Sequence, residues 1–280
     1  MLIDVHGAAL YAYTGGRPFD PARPSVVFIH GVLNDHSVWI LQTRYLAHHG
    51  FNVLAIDLPG HGRSGGDAPA SVQDGARAVL GLLQALGIER AALVGHSFGS
   101  LIALQAAADA PERVARLSLV GTAYPMRVSP ALLDSSLNTP EKAIEMVNVF
   151  SHSTLAPPPS ALGPGTWLYG GSRALMQRVL ASNPHVNVFH RGFVACDRYQ
   201  GGETAARALR CPVQFILGTR DQMTPPKAAQ PLIDGARAAG VPVEVVRLAA
   251  GHALMTEAPD GVLDALHAFL RPLTATAGAV

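Results

Sequence analysis

The strongest constraint on the fold is a rhythm in which short, nearly unbroken apolar runs alternate with longer segments of helical period. The runs are 26–29, 53–56, 91–94, 117–120, 213–217 and 243–248; the helical segments are 37–49, 71–86, 98–109, 225–238 and 259–270. Continuous apolar runs of this length are the texture of parallel strands buried on both faces. Strand and helix in alternation call for an α/β fold, a mostly parallel sheet flanked by helices, whose ligands bind beyond the C-terminal ends of the strands. The loops that follow the strands are therefore where chemistry is to be sought. Ahead of the first run, residues 2–13 alternate apolar and polar around Gly7 and read as an antiparallel hairpin at a sheet edge.

The rhythm breaks between Tyr124 and Arg210, where helical fragments and Pro/Gly turns replace the strands. The expected organisation is a core domain, 1–123 and 211–280, with an inserted helical cap, 124–210. Within the cap, Val186, Phe189, Phe193 and Cys196 recur at three- and four-residue steps, predicting an amphipathic helix with Pro184 near its first turn. An apolar helical layer over the strand ends would enclose a dry pocket. Residue by residue, the same pattern describes a packed surface helix equally well. Pro157-Pro158-Pro159 and Gly163-Pro164-Gly165 read as mobile loops inside the cap.

Composition narrows the function classes. Of 280 residues, 49% are hydrophobic and 15% charged, enough apolar content for a sizeable core and too little charge for wholesale disorder. Lys plus Arg number 21 against 20 Asp plus Glu, with no basic block of the kind that follows a phosphate backbone, so nucleic acid is not an expected partner. The two cysteines, Cys196 and Cys211, lack metal-ligand spacing and read as reduced thiols, which points to the cytoplasm. Asp4 and His6 interrupt the N-terminus where a signal peptide would be basic and then apolar. No stretch reaches the roughly 18 uncharged apolar residues of a membrane span.

The sharpest chemical signal is Gly95-His96-Ser97-Phe98-Gly99, placed between the apolar run 91–94 and an Ala/Leu-rich helical segment. A serine on a tight strand-to-helix turn has its hydroxyl pushed into the open, and flanking glycines let the backbone turn without side-chain clashes. The following helix aims its positive end at the same place, which favours a developing oxyanion. A serine that merely caps the helix would not need glycine on both sides.

With this elbow, the chain resembles the α/β-hydrolase superfamily over nearly its whole length. The resemblance implies a nucleophile, an acid and a histidine, in that order, each on its own loop after a strand. Ser97 is then the nucleophile. His252, in Ala249-Ala250-Gly251-His252 after the run 243–248, stands where the family carries its general base. Asp221, in Gly218-Thr219-Arg220-Asp221 after the run 213–217, resembles the family's acid. Aspartate also forms turns and helix caps, but Thr224 is better placed to cap the segment opening at Pro225. His30-Gly31-Val32 is similar to the family's oxyanion motif, which assigns the two oxyanion donors to the backbone N–H groups of Val32 and Phe98. His30 is expected to hydrogen-bond the loop, and His30, Trp39 and Phe193 are candidates for the pocket wall.

Gly60-His61-Gly62-Arg63-Ser64-Gly65 matches a dinucleotide fingerprint in letters only, because no helix opens from it and no acid closes a second strand about 20 residues on. The stretch 57–64 instead resembles a loop widespread in the superfamily. No cofactor and no metal are expected; His48-His49, adjacent on a helix, point in different directions. The expected activity is hydrolysis of a small or medium, apolar carboxylic ester through an acyl-enzyme on Ser97, by a protein that could self-associate. The same triad could serve a carbon–carbon bond hydrolase or a cofactor-free perhydrolase, and the same pocket a ligand receptor without turnover.

Overall fold

The computed structural model describes residues 1–154 and 166–277. The triple-proline and Gly-Pro-Gly loops expected within the cap lie outside them. Eight strands form one sheet: β1 (Leu2–Val5), β2 (Ala8–Tyr13), β3 (Ser25–Ile29), β4 (Asn52–Ile56), β5 (Ala91–His96), β6 (Val114–Val120), β7 (Val213–Gly218) and β8 (Val243–Leu248). Their order is β1-β2-β4-β3-β5-β6-β7-β8, with β1 and β2 antiparallel at one edge and parallel pairing from β4 to β8. Strands β3, β4, β5 and β7 are buried at every position. Strand β8 differs from its expected double burial: as the far edge of the sheet it is partly or fully exposed throughout. Its sequence, Val-Glu-Val-Val-Arg-Leu, places charges where an edge meets water.

Successive strand residues point to opposite faces, and the core divides accordingly. Val27, Ile29, Leu54 and Ile56 pack with α2 (Val72–Ala85) and α3 (Phe98–Asp109). Val26, Phe28, Val53 and Ala55 pack on the other face with α1 (Ile40–His48) and α11 (Pro259–Leu270). Between β6 and β7 the chain leaves the sheet for α4 (Pro130–Asn138), α5 (Pro140–Ser151), α6 (Leu168–Ala181), α7 (Val188–Arg198) and α8 (Gly202–Arg207). Ile144, Met176, Val179, Val188, Phe189 and Phe193 form a separate apolar cluster of α5, α6 and α7 that reaches Leu33 in the loop after β3. The segment 124–210 is therefore not uniform. Ala205 and Ala206 of α8 join the cluster of the α2/α3 face, and α8 packs on α3 and on α9 (Gln230–Ala238).

Helix α7 starts at Val188, not near Pro184. The Asn187 side chain accepts the His190 N–H at 2.9 Å and starts the helix, whereas Asn183 accepts the N–H groups of His185 and Val186 and holds Pro184 in a preceding bend. No described helix is long and apolar enough to cross a membrane.

Candidate active site

Ser97 sits between β5 and α3 with φ 53° and ψ −118°, a left-handed conformation that a residue bearing a Cβ adopts at a cost of about 1–3 kcal/mol. Crowding explains both flanking glycines. A Cβ on Gly95 would stand 2.1 Å from the Gly99 carbonyl oxygen, and one on Gly99 would stand 2.4 Å from that of Ile29. The strained turn is fixed by Ser97 N–H donating to the Val120 carbonyl at 3.0 Å and by Ser100 Oγ–H donating to the Ser97 carbonyl. The Ser97 hydroxyl does not cap α3. Among the described residues no hydrogen bond joins it to His252, but both line one cavity.

His252 follows β8 and precedes α10 (Leu254–Glu257). Its Nδ1–H is shared between Asp221 Oδ2 at 2.9 Å and Thr224 Oγ1 at 3.0 Å, which leaves the lone pair on Nε2. Asp221 is buried, and its oxygens are filled: Oδ1 accepts the N–H groups of Met223 and Thr224, Oδ2 also the Thr224 hydroxyl. Burial pushes this carboxyl up, but the His252 charge and the hydrogen bonds from His252 and Thr224 outweigh it and hold Asp221 below the usual carboxylate range. Asp221 thus forms the turn and holds the imidazole at once. Thr224 caps no helix, contrary to expectation: it joins the Asp221–His252 pair, which sequence reasoning missed.

The loop after β3 carries the other half of the site. His30 is fully buried; its Nδ1–H donates to the Gly31 carbonyl at 2.8 Å, and its Nε2 accepts the Leu58 N–H at 3.0 Å. The Gly31 carbonyl and the Val32 N–H share one peptide plane, so His30 fixes where that N–H points. No described group accepts from Val32 N–H. Phe98 opens α3, where first-turn N–H groups lack an intrahelical partner. Gly31 gives the loop room, because a Cβ there would stand close to His96 Nδ1 at 3.1 Å and Ser97 Cβ at 3.2 Å.

The cavity above Ser97 has a volume of 380 Å³ and is walled mainly by apolar side chains, among them Val32, Leu41, Val147, Leu175, Phe193 and Met255. Two expected pocket residues are elsewhere. Trp39 is fully buried in the core, 5.2 Å from the Phe28 ring and edge-on to His96, because α1 packs it beneath the sheet face. His30 is occupied behind the loop as described and does not reach the cavity. Phe193 does line it, as do exposed Ile40, Leu41 and Trp167 near its rim.

The glycine-rich stretch after β4 has its own structural reason. Asp57, fully buried, accepts from His36 N–H, from His36 Nδ1–H and from Arg63 N–H. A Cβ on Gly62, which has φ 54°, would lie 2.5 Å from the Asp57 carboxylate. Asp35, His36 and Asp57 cluster closely enough to suit a cation. Their acceptors are already engaged, however, with Asp35 taken by Ser37 and by Arg178 of α6.

Burial holds several imidazoles neutral. His96 is pushed down to about 3 by burial and then by the His252 charge, His61 to about 4 by burial, and burial also lowers His30. Below pH 6.5 the unfolded chain takes up protons that these folded sites refuse, so stability is full above that value and falls as pH drops toward 4. Each such histidine contributes a slope of about 1.4 kcal/mol per pH unit. The urea midpoint at pH 5.5 is expected to lie clearly below that at pH 7.5; equal midpoints would contradict the buried neutral imidazoles.

Comparison with known proteins places the fold. A family model described as alpha/beta hydrolase fold matches residues 24–259. The chain belongs to the alpha/beta hydrolase fold family. Among curated proteins, it is similar to a dihydrolipoyllysine-residue acetyltransferase component of an acetoin cleaving system from Cupriavidus necator, at 40% identity over 42% of this chain and 30% of that one. It is also similar to Lipase LipV of Mycobacterium tuberculosis, at 36% identity over 50% of this chain and 51% of that one. The chain thus spans about a third to a half of the length of these curated relatives. Of solved alpha/beta hydrolase structures, an enol-lactonase from Burkholderia xenovorans has a TM-score of 0.79 at 22% identity, covering 97% of this chain and 100% of that one. A thermophilic esterase has a TM-score of 0.75 at 26% identity, covering 98% and 97%.

Proposed function

We propose that the chain is a serine hydrolase of carboxylic esters, with α4 to α7 as a cap over the site. One observation carries this reading. A serine in a strained left-handed turn, its hydroxyl uncapped, faces a cavity shared with an imidazole whose Nδ1–H is committed to a buried carboxylate. Ser97 Oγ attacks the ester carbonyl while His252 Nε2 takes its proton; Asp221 and Thr224 keep the imidazole in the tautomer that can do so. The oxyanion accepts from the N–H groups of Val32 and Phe98. His252 then returns the proton to the leaving alcohol, and water resolves the acyl-enzyme by the same route.

The ester reading is favoured over carbon–carbon cleavage of a carboxylate-bearing diketone by the charge of the wall. Among the described residues, the only Lys or Arg on the cavity wall is Arg178, and Asp35 engages it at 2.7 Å. The test is turnover of p-nitrophenyl esters from acetyl to dodecanoyl by purified protein without added cofactor. Each methylene buried in the apolar wall contributes about 0.8 kcal/mol, so kcat/KM should climb by up to about fourfold per carbon until the cavity is filled. Absence of turnover across the whole series would contradict the proposal.

A further inference from the structure

Besides His252 and His96, a further imidazole reaches the same cavity. His152 ends α5, is 7% exposed and lines the wall together with Ser97 and His252. Its Nδ1–H donates to the Asn148 carbonyl at 3.0 Å, which places the lone pair on Nε2, and no described group pairs with Nε2. The Tyr169 ring packs beside it at 5.1 Å. Nε2 is thus an acceptor available to whatever fills the cavity.

The backbone around His152 is held in register with the turn that carries His252. Ala253 N–H donates to the Ser151 carbonyl at 3.0 Å, and Ser153 N–H donates to Glu257 Oε1 at 2.6 Å. The other oxygen of Glu257 accepts the Ser153 hydroxyl and, at 2.8 Å, the Gly251 N–H. Gly251 must be glycine for this seam to close, since a Cβ there would stand 2.6 Å from the Ser151 carbonyl oxygen. From the other side, His96 Nε2–H donates to the His252 carbonyl at 2.9 Å. These hydrogen bonds tie the segment that carries His152 to the turn that carries His252.

We propose that His152 is a specificity-determining residue whose Nε2 accepts a hydrogen bond from a hydroxyl or N–H carried by the leaving group of the substrate. The substrate class is then an ester or lactone with a donor close to the scissile bond, such as a polyol monoester, in preference to a plain alkyl ester. The leaving side follows from chemistry: His252 delivers its proton to the leaving oxygen, so a wall residue locked beside His252 meets that half of the substrate. Burial lowers the His152 pKa, with His252 and Glu257 as the charged neighbours, so the ring stays neutral and accepts at neutral pH. The inference rests on the ester-hydrolase reading, and the test separates the two.

The experiment compares glycerol monobutyrate with 2-methylbutyl butyrate, which has a similar shape but no donor. For each of wild type, His152→Leu and His152→Gln, the quantity read is the ratio of kcat/KM for the glycerol ester to that for the alkyl ester. Loss of one neutral hydrogen bond lowers the ratio about tenfold in His152→Leu, and the Gln carbonyl, near the position of Nε2, restores most of it. A ratio within twofold of wild type in His152→Leu, or a His152→Gln ratio no better than that of Leu, overturns the proposal. Thermal melts verify folding, and His152→Phe replaces Leu if that variant does not fold. Calorimetric binding of both esters to Ser97→Ala, with and without His152→Leu, reads the same ratio without turnover. If wild type cleaves neither ester, the ester reading fails while the binding ratio still decides the role of His152.

Discussion

Replacing Ser97 by Ala is expected to lower kcat/KM for p-nitrophenyl butyrate on the order of 10⁴-fold while the protein stays folded. The size follows from the division of labour in a nucleophile–base pair. Without the hydroxyl no acyl-enzyme forms, and only the oxyanion donors and substrate positioning remain to assist water. The fold should tolerate the change because the hydroxyl neither caps α3 nor bonds to another described residue. Alanine keeps the same Cβ in the same left-handed turn, so backbone strain is unchanged as well. Turnover within tenfold of wild type, in protein free of contaminating esterase, would remove Ser97 from the mechanism.

Asp221→Asn should cost nearly as much, roughly 10³- to 10⁴-fold in kcat. The carboxylate has two jobs with separable oxygens. Oδ1 accepts the N–H groups of Met223 and Thr224, and an asparagine carbonyl can take over that turn. Oδ2 accepts His252 Nδ1–H and the Thr224 hydroxyl, and an amide NH₂ in that place can accept neither. The imidazole then loses the partner that fixes its tautomer and stabilises its positive charge. The expected signature is a collapse of kcat with a modest change in KM and a thermal midpoint near that of wild type. A kcat within tenfold of wild type would mean that Thr224 alone suffices to orient His252.

Much of this architecture was legible in the sequence because it depends on local rules. Central strands buried on both faces appear as unbroken apolar runs, and the glycines at 95 and 99 announce the turn that crowds them. Family resemblance supplied the positions of His252 and Asp221, and the fold brings both to one end of the sheet. Features set by contacts between distant segments were hidden. Trp39 carries no mark that distinguishes a core indole from a pocket indole, and α1 places it against Phe28. His30 looks like a site histidine until Leu58, 28 residues on, is seen to occupy its second nitrogen. Thr224 was readable in principle, three residues after Asp221, but its hydroxyl serves the imidazole and not a helix end. His152 and Glu257, 105 residues apart, meet only through the seam between α5 and the His252 turn, and no local pattern encodes that seam.

The proposed activity depends on Ser97 being a nucleophile that His252 activates, and covalent capture tests this most directly. Purified protein would be incubated with a fluorophosphonate at pH 7.5, digested and mapped by mass spectrometry, with His252→Ala treated in parallel. One adduct per chain is expected, on Ser97, formed in step with loss of esterase activity and strongly slowed in His252→Ala. An unmodified Ser97 in protein that still turns over esters, or an adduct on another residue that accounts for the inactivation, would contradict it.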